Sequence, residues 1–234
     1  MPDDAAAKPE SKPHWLGHRE RLRKRFLEAG VEGVADYELL ELILFRAKAR
    51  GDLKPLAKTV IKHFGGFGPA LAAPIERLVE IDGVGEATAV EMKIIHAAAI
   101  KLAQARVLGR PVIASWEELL AYCRSAMADS KIEEFRVLFL DKKNFLVADE
   151  VQNRGTVDHT PVYPREVVKR ALELAASAII LVHNHPSGDP TPSRADIDMT
   201  NQIVKAALSV GVRVHDHLVI GHKSDVSFKS LGLI

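Results

Sequence analysis

The sequence predicts two domains, an all-α module followed by an α/β domain. Apolar residues recur at helical spacing through 15–106, whereas short β-branched runs alternate with helical segments through 115–234. Between these patterns, 107–114 has the glycine and proline of a loop and is the predicted linker. Residues 1–14 are rich in Ala, Lys, Pro and Asp without periodicity, which predicts a disordered tail.

Composition places the chain among soluble globular proteins. The 234 residues are 47% hydrophobic and 27% charged, and the net charge of +1 neither favours nor excludes a nucleic-acid partner. No apolar run reaches the roughly 18 residues of a membrane span, and the N-terminus lacks a signal sequence, so we expect a cytoplasmic protein without membrane contact. Cys123, the only cysteine, cannot form an internal disulfide and lies in an apolar helical stripe, where we expect it to be inert.

Apolar residues in the N-terminal module recur every three or four positions, as expected of helices that pack on one another. The first helix carries a dense run of arginine and lysine, which we interpret as a solvated face. Asp36 is the predicted N-cap of the second helix, and Gly65-Gly66 ends the third. The predicted helices are 18–27, 37–45, 56–64 and 86–105.

The turn before the last of these helices has the pattern of a helix-hairpin-helix motif. Gly83 and Gly85 alternate with apolar residues, and such glycines permit a tight turn that leaves backbone N–H groups open to a phosphate. Gly83, Gly85 and Lys93 are therefore the candidate DNA-binding residues. Asp82 and Glu86 would repel phosphate, so a purely structural or protein-contacting module is an equally supported alternative.

The C-terminal domain has strands separated by helices, which predicts a layered α/β sandwich. The last predicted strand is short and weak, and an uncovered sheet edge there is a candidate surface for a homodimer. The predicted strands are 135–140, 145–151, 178–182, 212–220 and 226–228, and the predicted helices between them are 165–175 and 193–208.

A candidate metal site follows the third predicted strand. His183 and His185 are two residues apart, so both imidazoles project from the same side of that strand. A turn rich in Pro, Gly and Ser follows, and Ser193 and Asp196 then open the next helix. Two histidines and one carboxylate with a fourth position open are the ligands of a catalytic zinc ion. The alternative is that Ser193 and Asp196 only form a capping box.

The spacing of His183, His185 and Asp196, with Ser193 three residues before the aspartate, resembles the zinc signature of JAMM/MPN metalloproteases. Further segments resemble the RadC family, historically called DNA repair proteins, over about residues 18–234. The loop 47–52 departs from the Gly/Thr-rich turn of that family. The segments that carry the RadC resemblance are Tyr163-Pro164-Arg165-Glu166-Val167, the run from His183 to Pro190, and Asp216-His217.

This resemblance implies a JAMM/MPN-like domain with a cytidine-deaminase-like layered fold and one Zn²⁺ ion per chain. It also implies a catalytic glutamate at the start of the domain's first strand. Glu133, two residues before Phe135, matches the RadC pattern and is the expected general base, with Glu134 as the alternative on the opposite face. Ser193 resembles the serine that stabilises the tetrahedral intermediate in JAMM enzymes.

His215 and His217 form another pair two residues apart, which we expect to project from one face of the fourth strand. No carboxylate at a convincing spacing completes a second metal site with them. We therefore expect a structural role, or the orientation of a ligand histidine.

Three functions are compatible with these features. The first is a zinc metallopeptidase or isopeptidase that acts on a peptide or protein substrate, with Glu133 as the proton acceptor. The second is a DNA-associated repair factor, held on DNA by its N-terminal module and acting as a nuclease. The third is a non-catalytic interaction module, against which the joint presence of His183, His185, Ser193 and Asp196 argues.

Overall fold

The computed structural model describes residues 17–155 and 162–234, so the predicted tail at 1–14 lies outside the described residues. The described chain falls into two compact units that divide between Ile95 and His96. The first unit is helical, and the second combines helices with a mixed sheet, as the sequence predicts. Within these described ranges, no helix has both the length and the apolar character to cross a membrane.

The first unit is built from helices that bury an apolar core. Leu40 and Leu44 are one helical turn apart and fully buried, together with Val60, Leu78 and Met92. The second helix begins at Asp36, but Ala35 is its N-cap, because the Glu38 carboxylate accepts a 3.0 Å hydrogen bond from the Ala35 N–H. The elements are α1 (His18–Ala29), a 3₁₀ turn (Gly30–Gly33), α2 (Asp36–Ala47), α3 (Lys54–Phe64), α4 (Phe67–Ala72), α5 (Ile75–Val79) and the first part of α6 (Glu86–Val107).

The described part of the second unit contains a five-stranded sheet in the order β2-β1-β3-β4-β5. β3 and β4 are parallel, and the other neighbouring strands are antiparallel. β5 is an edge strand, and homodimer formation through it stays a prediction. The elements after α6 are a 3₁₀ turn (Val112–Ser115), α7 (Trp116–Met127), β1 (Glu133–Leu140), β2 (Leu146–Gly155), α8 (Pro164–Glu173), β3 (Ala178–Asn184), α9 (Arg194–Leu208), β4 (Arg213–Ile220) and β5 (Asp225–Ser227).

Alternation along the strands divides their side chains between two cores. Ile179 and Leu181 of β3 pack with α8 and α9 on one face of the sheet, whereas Ile180 and Val182 pack with α7 on the other. Both faces are therefore covered, which explains why every residue of β3 is buried and why 178–182 are all apolar. His183 continues the α9 face, so this alternation decides the side of the sheet on which the candidate metal site forms.

The segment predicted as a linker is packed into the second unit. The Gly109 N–H donates to the Leu146 carbonyl at 2.9 Å, and the Leu146 N–H donates to the Arg110 carbonyl at 3.1 Å. Val107, at the end of α6, is 1% exposed in the core beneath α7. The division between the two units therefore lies within α6, and the segment 107–114 is part of the second unit, not a linker between the units.

Cys123 lies in α7 and is fully buried. Burial, followed by the negative charge of Asp149, raises the pKa of its thiol to about 12. We expect the native protein to be unreactive with Ellman's reagent at pH 8, because the thiolate is the reacting form. After unfolding in guanidinium chloride, one thiol per chain should react. A thiol that reacts within minutes in the native protein would contradict the burial.

Candidate metal centre

A capping box at the start of α9 holds the candidate carboxylate ligand. The Ser193 Oγ accepts from the Asp196 N–H at 3.2 Å, and the Asp196 Oδ2 accepts from the Ser193 N–H at 2.7 Å and from its hydroxyl at 2.6 Å. The structure thus shows the cap, and the same contacts fix the Asp196 carboxylate beside the end of β3. Capping and metal binding are compatible at this residue because Oδ1 takes no part in the cap.

The donor atoms of His183, His185 and Asp196 lie within 4.8 Å of one another. The two Nε2 atoms are 3.0 Å apart, and each is 3.4 Å from a carboxylate oxygen of Asp196. A tetrahedral zinc ion with ligand distances of about 2.0–2.1 Å separates its ligand atoms by about 3.3 Å. The three side chains therefore fit three corners of one coordination sphere. His183 and Asp196 are buried while His185 is half-buried, so the site opens on the side of His185.

The protonation of His185 follows from its backbone contact. Its Nδ1 is 2.7 Å from the Asp189 carbonyl oxygen. Since a carbonyl only accepts, Nδ1 must carry the proton, and Nε2 of the neutral ring presents a lone pair. The Asp196 carboxylate raises the pKa of His185, because it would accept a hydrogen bond from a proton on Nε2, although partial burial opposes this shift.

A chain of hydrogen bonds fixes the protonation of His183 in the same way. The Thr200 hydroxyl donates to the Asp196 backbone carbonyl at 2.5 Å, so its oxygen accepts from Nδ1 of His217 at 2.6 Å. Burial lowers the pKa of His217 well below its ordinary value, so the ring is neutral and its Nε2 accepts from Nδ1 of His183 at 2.8 Å. In the neutral His183 ring, Nε2 therefore also presents a lone pair. This is the orienting role expected for His217.

These assignments leave two lone pairs facing each other across 3.0 Å beside a carboxylate. Burial favours the protonated form of Asp196, but the neighbouring His183 and His185 rings and the hydrogen bond from Ser193 outweigh it and place the pKa of this carboxyl below its ordinary value. The carboxylate is accordingly ionised. A positive charge at its centre stabilises such an arrangement, and either a metal ion or a proton on His185 can supply it.

Replacing Thr200 by valine is expected to weaken zinc binding by about 10–100-fold, the usual cost of losing an outer hydrogen bond to a metal ligand. The His217 Nδ1–H would lose its acceptor, and His183 would no longer be held in the tautomer that presents Nε2. Competition with a chromophoric chelator measures the affinity. Thr88→Val is a matched control, because Thr88 is also buried but lies in the first unit. Equal zinc affinity in both variants would contradict the role of the hydrogen-bond chain from Thr200 through His217 to His183.

The sheet places Glu133 and Glu134 in different surroundings. Phe135 pairs with His183, so Glu133, two residues earlier, projects from the same face as the candidate ligands. It contributes to the upward pKa shift of His185, which Asp196 dominates. Glu134 projects to the other face, where Arg136 and Arg154 bind its carboxylate at 2.7 and 2.9 Å. The contacts therefore favour Glu133 as the residue available to the site.

The sequence predicts His215 and His217 on one face of β4, but the structure does not place them together. A bulge shifts the register between β3 and β4, so that Ile179 pairs with Val214 but Ile180 with Asp216. The Nε2 of His215 is 2.6 Å from the Asn144 Oδ1, away from the metal ligands. The extra residue breaks the period-two alternation, which sequence spacing alone does not reveal.

The candidates for DNA contact lie in the first unit. Gly83, between α5 and α6, has a φ of +87°, a left-handed conformation that favours glycine, and Gly85 directly precedes α6. The Lys93 ammonium donates to the backbone carbonyls of residues 71–73 at 3.0, 2.9 and 3.1 Å. These bonds cap the end of α4 and engage all three ammonium protons. DNA contact through these residues stays a prediction.

Sequence reasoning missed Thr200. Its signal was a threonine four residues after Asp196, and so on the same side of α9, among apolar residues of the buried face. A buried hydroxyl needs partners, but the sequence does not say that one of them is His217.

A mixed sheet between helices, with His183 and His185 at the end of β3 and Asp196 at the start of α9, is consistent with a JAB/MPN-like domain. The family model described as RadC-like JAB domain matches residues 113–233, and the chain belongs to this family. A UPF0758 protein of Rhodobacter capsulatus is 64% identical over 213 residues, which cover 91% of this chain and 100% of that protein. The UPF0758 protein SPO0054 of Ruegeria pomeroyi is 57% identical over 217 residues, covering 93% and 97%.

Proposed function

We propose that this protein is a zinc-dependent metallohydrolase of the peptidase or isopeptidase type, which hydrolyses amide bonds in peptide or protein substrates. The observation that carries this proposal is the convergence of the His183 and His185 Nε2 atoms, 3.0 Å apart, on the Asp196 carboxylate. Membership of a JAB-domain family supports the same chemistry.

The chain supplies the groups that amide hydrolysis needs. When bound, zinc would polarise a substrate carbonyl and lower the pKa of a coordinated water to near 7. The Glu133 carboxylate accepts a proton from water and delivers it to the leaving amine. Ser193 is the donor that we assign to the developing oxyanion. Its hydroxyl donates to Asp196 in this structure, and it has to turn away from that carboxylate to reach a substrate.

Zinc is proposed over iron because of what surrounds the ligands. Two histidines and one carboxylate also hold iron in non-haem oxygenases, so the ligand set alone does not choose. A carboxylate on the ligand face of β1 suits proton transfer in hydrolysis, and the JAB-type domain is consistent with zinc. Elemental analysis of protein purified without added metal distinguishes zinc from iron.

The test offers zinc-loaded protein three classes of substrate: linear peptides, peptides with an isopeptide-linked lysine, and single- and double-stranded DNA. We expect amide substrates to be cleaved, with a chelator abolishing the cleavage and zinc restoring it. DNA cleavage that is lost in His185→Ala, without any amide cleavage, would support the nuclease alternative instead. A fully loaded protein that cleaves none of these would favour the non-catalytic interaction module.

A further inference from the structure

Asn184 lies between the two histidines in sequence but projects to the other face of β3. It is 1% exposed, and both polar atoms of its side chain contact the backbone where β1 begins. The Asn184 Nδ2 donates to the Ile132 carbonyl at 3.1 Å, and its Oδ1 accepts from the Glu134 N–H at 2.9 Å. These two backbone groups belong to the peptide units on either side of Glu133.

The backbone pairing of β1 and β3 ends just before this point. The ladder runs from Leu140 opposite Ala178 to Phe135 opposite His183, so the next pair would be Glu134 opposite Asn184. The His185 N–H, one residue further on, continues the pairing with β4 by donating to the Ile220 carbonyl at 3.0 Å. The Asn184 side chain takes over the pairing with β1, because a carboxamide has the donor and acceptor of a peptide group.

We propose that Asn184 is a positioning residue for Glu133. By binding the peptide units before and after Glu133, its amide fixes the backbone dihedral angles from which that carboxylate projects. Glu133 lies on β1, whereas the two histidines lie at the end of β3, and Asn184 joins these strands where their ladder has ended. The catalytic meaning of this contact rests on the proposed function, whereas the contact itself does not.

A control variant separates positioning from simple packing. Val182 is on the same strand and the same face as Asn184, and it is fully buried, but its side chain offers no hydrogen bond to β1. Val182→Ala should therefore destabilise β3 without releasing Glu133. Asn184→Leu removes both hydrogen bonds and keeps the same branching of the side-chain heavy atoms. Asn184→Ser is a second variant, too short to span both groups, in case the leucine protein does not fold.

The first measurement uses metal-free protein. Hydrogen exchange of the Glu134 backbone amide should accelerate about tenfold or more in Asn184→Leu or Asn184→Ser, since this N–H would lose its buried acceptor. In Val182→Ala the change should be much smaller. Equal acceleration in the Val182 and Asn184 variants would contradict the proposal that Asn184 holds the backbone on both sides of Glu133.

The second measurement uses zinc-loaded protein and acetohydroxamic acid, a metal-binding probe whose acidic proton needs a nearby base. Zinc affinity should stay within about threefold in the Asn184 variants, because Asn184 is not a ligand. Affinity for the probe should fall about tenfold in Glu133→Gln, which removes a charge-assisted hydrogen bond, and by a similar factor in Asn184→Leu. The double variant should lose no more than Glu133→Gln alone, as expected when one residue acts through the other.

Wild-type probe affinity in Asn184→Leu, or losses that multiply in the double variant, would overturn the positioning role. If the wild-type protein takes up no zinc, the proposed function fails, and Glu133 is then not a base for Asn184 to position. In that case, hydrogen exchange of the Glu134 backbone amide still shows whether Asn184 holds the backbone around Glu133. The failure of the proposed function and the failure of this inference are therefore distinguishable.

Discussion

The double variant His183→Ala/His185→Ala is expected to contain no zinc, whereas the wild-type protein should carry about one ion per chain when purified without added metal. Two of the three ligand atoms are removed, and a single carboxylate held in a helix cap does not retain a zinc ion against water and buffer. Elemental analysis of both proteins at equal concentration measures the effect.

A thermal shift gives an independent reading of the same variant. A ligand that binds the native state at 1,000 times its dissociation constant adds about 4 kcal/mol of stability, so zinc should raise the melting temperature of the wild type and leave the variant unchanged. The matched control is His215→Ala/His222→Ala, which also removes two histidines of the second unit but no candidate ligand. It should keep its zinc.

Metal-free wild-type protein that takes up no zinc on reconstitution would contradict this expectation. Ser193 and Asp196 would then act only as the cap of α9, and the interaction-module alternative would become the better account. Iron in place of zinc would retain the ligand assignment and change the proposed chemistry.

Glu133→Gln is expected to lower amide hydrolysis by about 10²–10⁴-fold while leaving zinc content unchanged. The substitution keeps the size of the side chain but removes the group that accepts a proton. Glu133 belongs to the ligand face of β1 and is not among the candidate ligands, so the metal should stay bound. Initial rates on a cleaved peptide, taken beside elemental analysis of the same preparation, measure both quantities.

Glu134→Gln is the matched control, since it is the same change one residue away. Its carboxylate is 13% exposed and pairs with Arg136 and Arg154 on the opposite face. Weakening these pairs should cost about 1–3 kcal/mol of stability, with hydrolysis staying within threefold of wild type. If Glu134→Gln loses activity and Glu133→Gln does not, the assignment of the base is reversed.

Local periodicity was enough to predict much of this protein. The helical first region and the α/β second region are confirmed, because the spacing of apolar residues follows directly from the backbone geometry of helices and strands. His183, His185 and Asp196 could be selected for the same reason. Two of them follow the period of a strand, and the third follows the capping chemistry of the helix just after it.

Tertiary structure decided what depends on pairing between distant segments. His183 meets His217 across 34 residues, and Asn184 meets Glu134 across 50, and both contacts are set by the register of the sheet. A bulge in the pairing of β3 with β4 removes His215 from the face on which it was expected to lie beside His217. The division between the units lies inside α6, because apolar residues in the first part of this helix pack in the first core and those in the last part pack in the second. Sequence patterns are local, whereas register, bulges and core boundaries result from competition among many contacts at once, so only the folded chain reveals them.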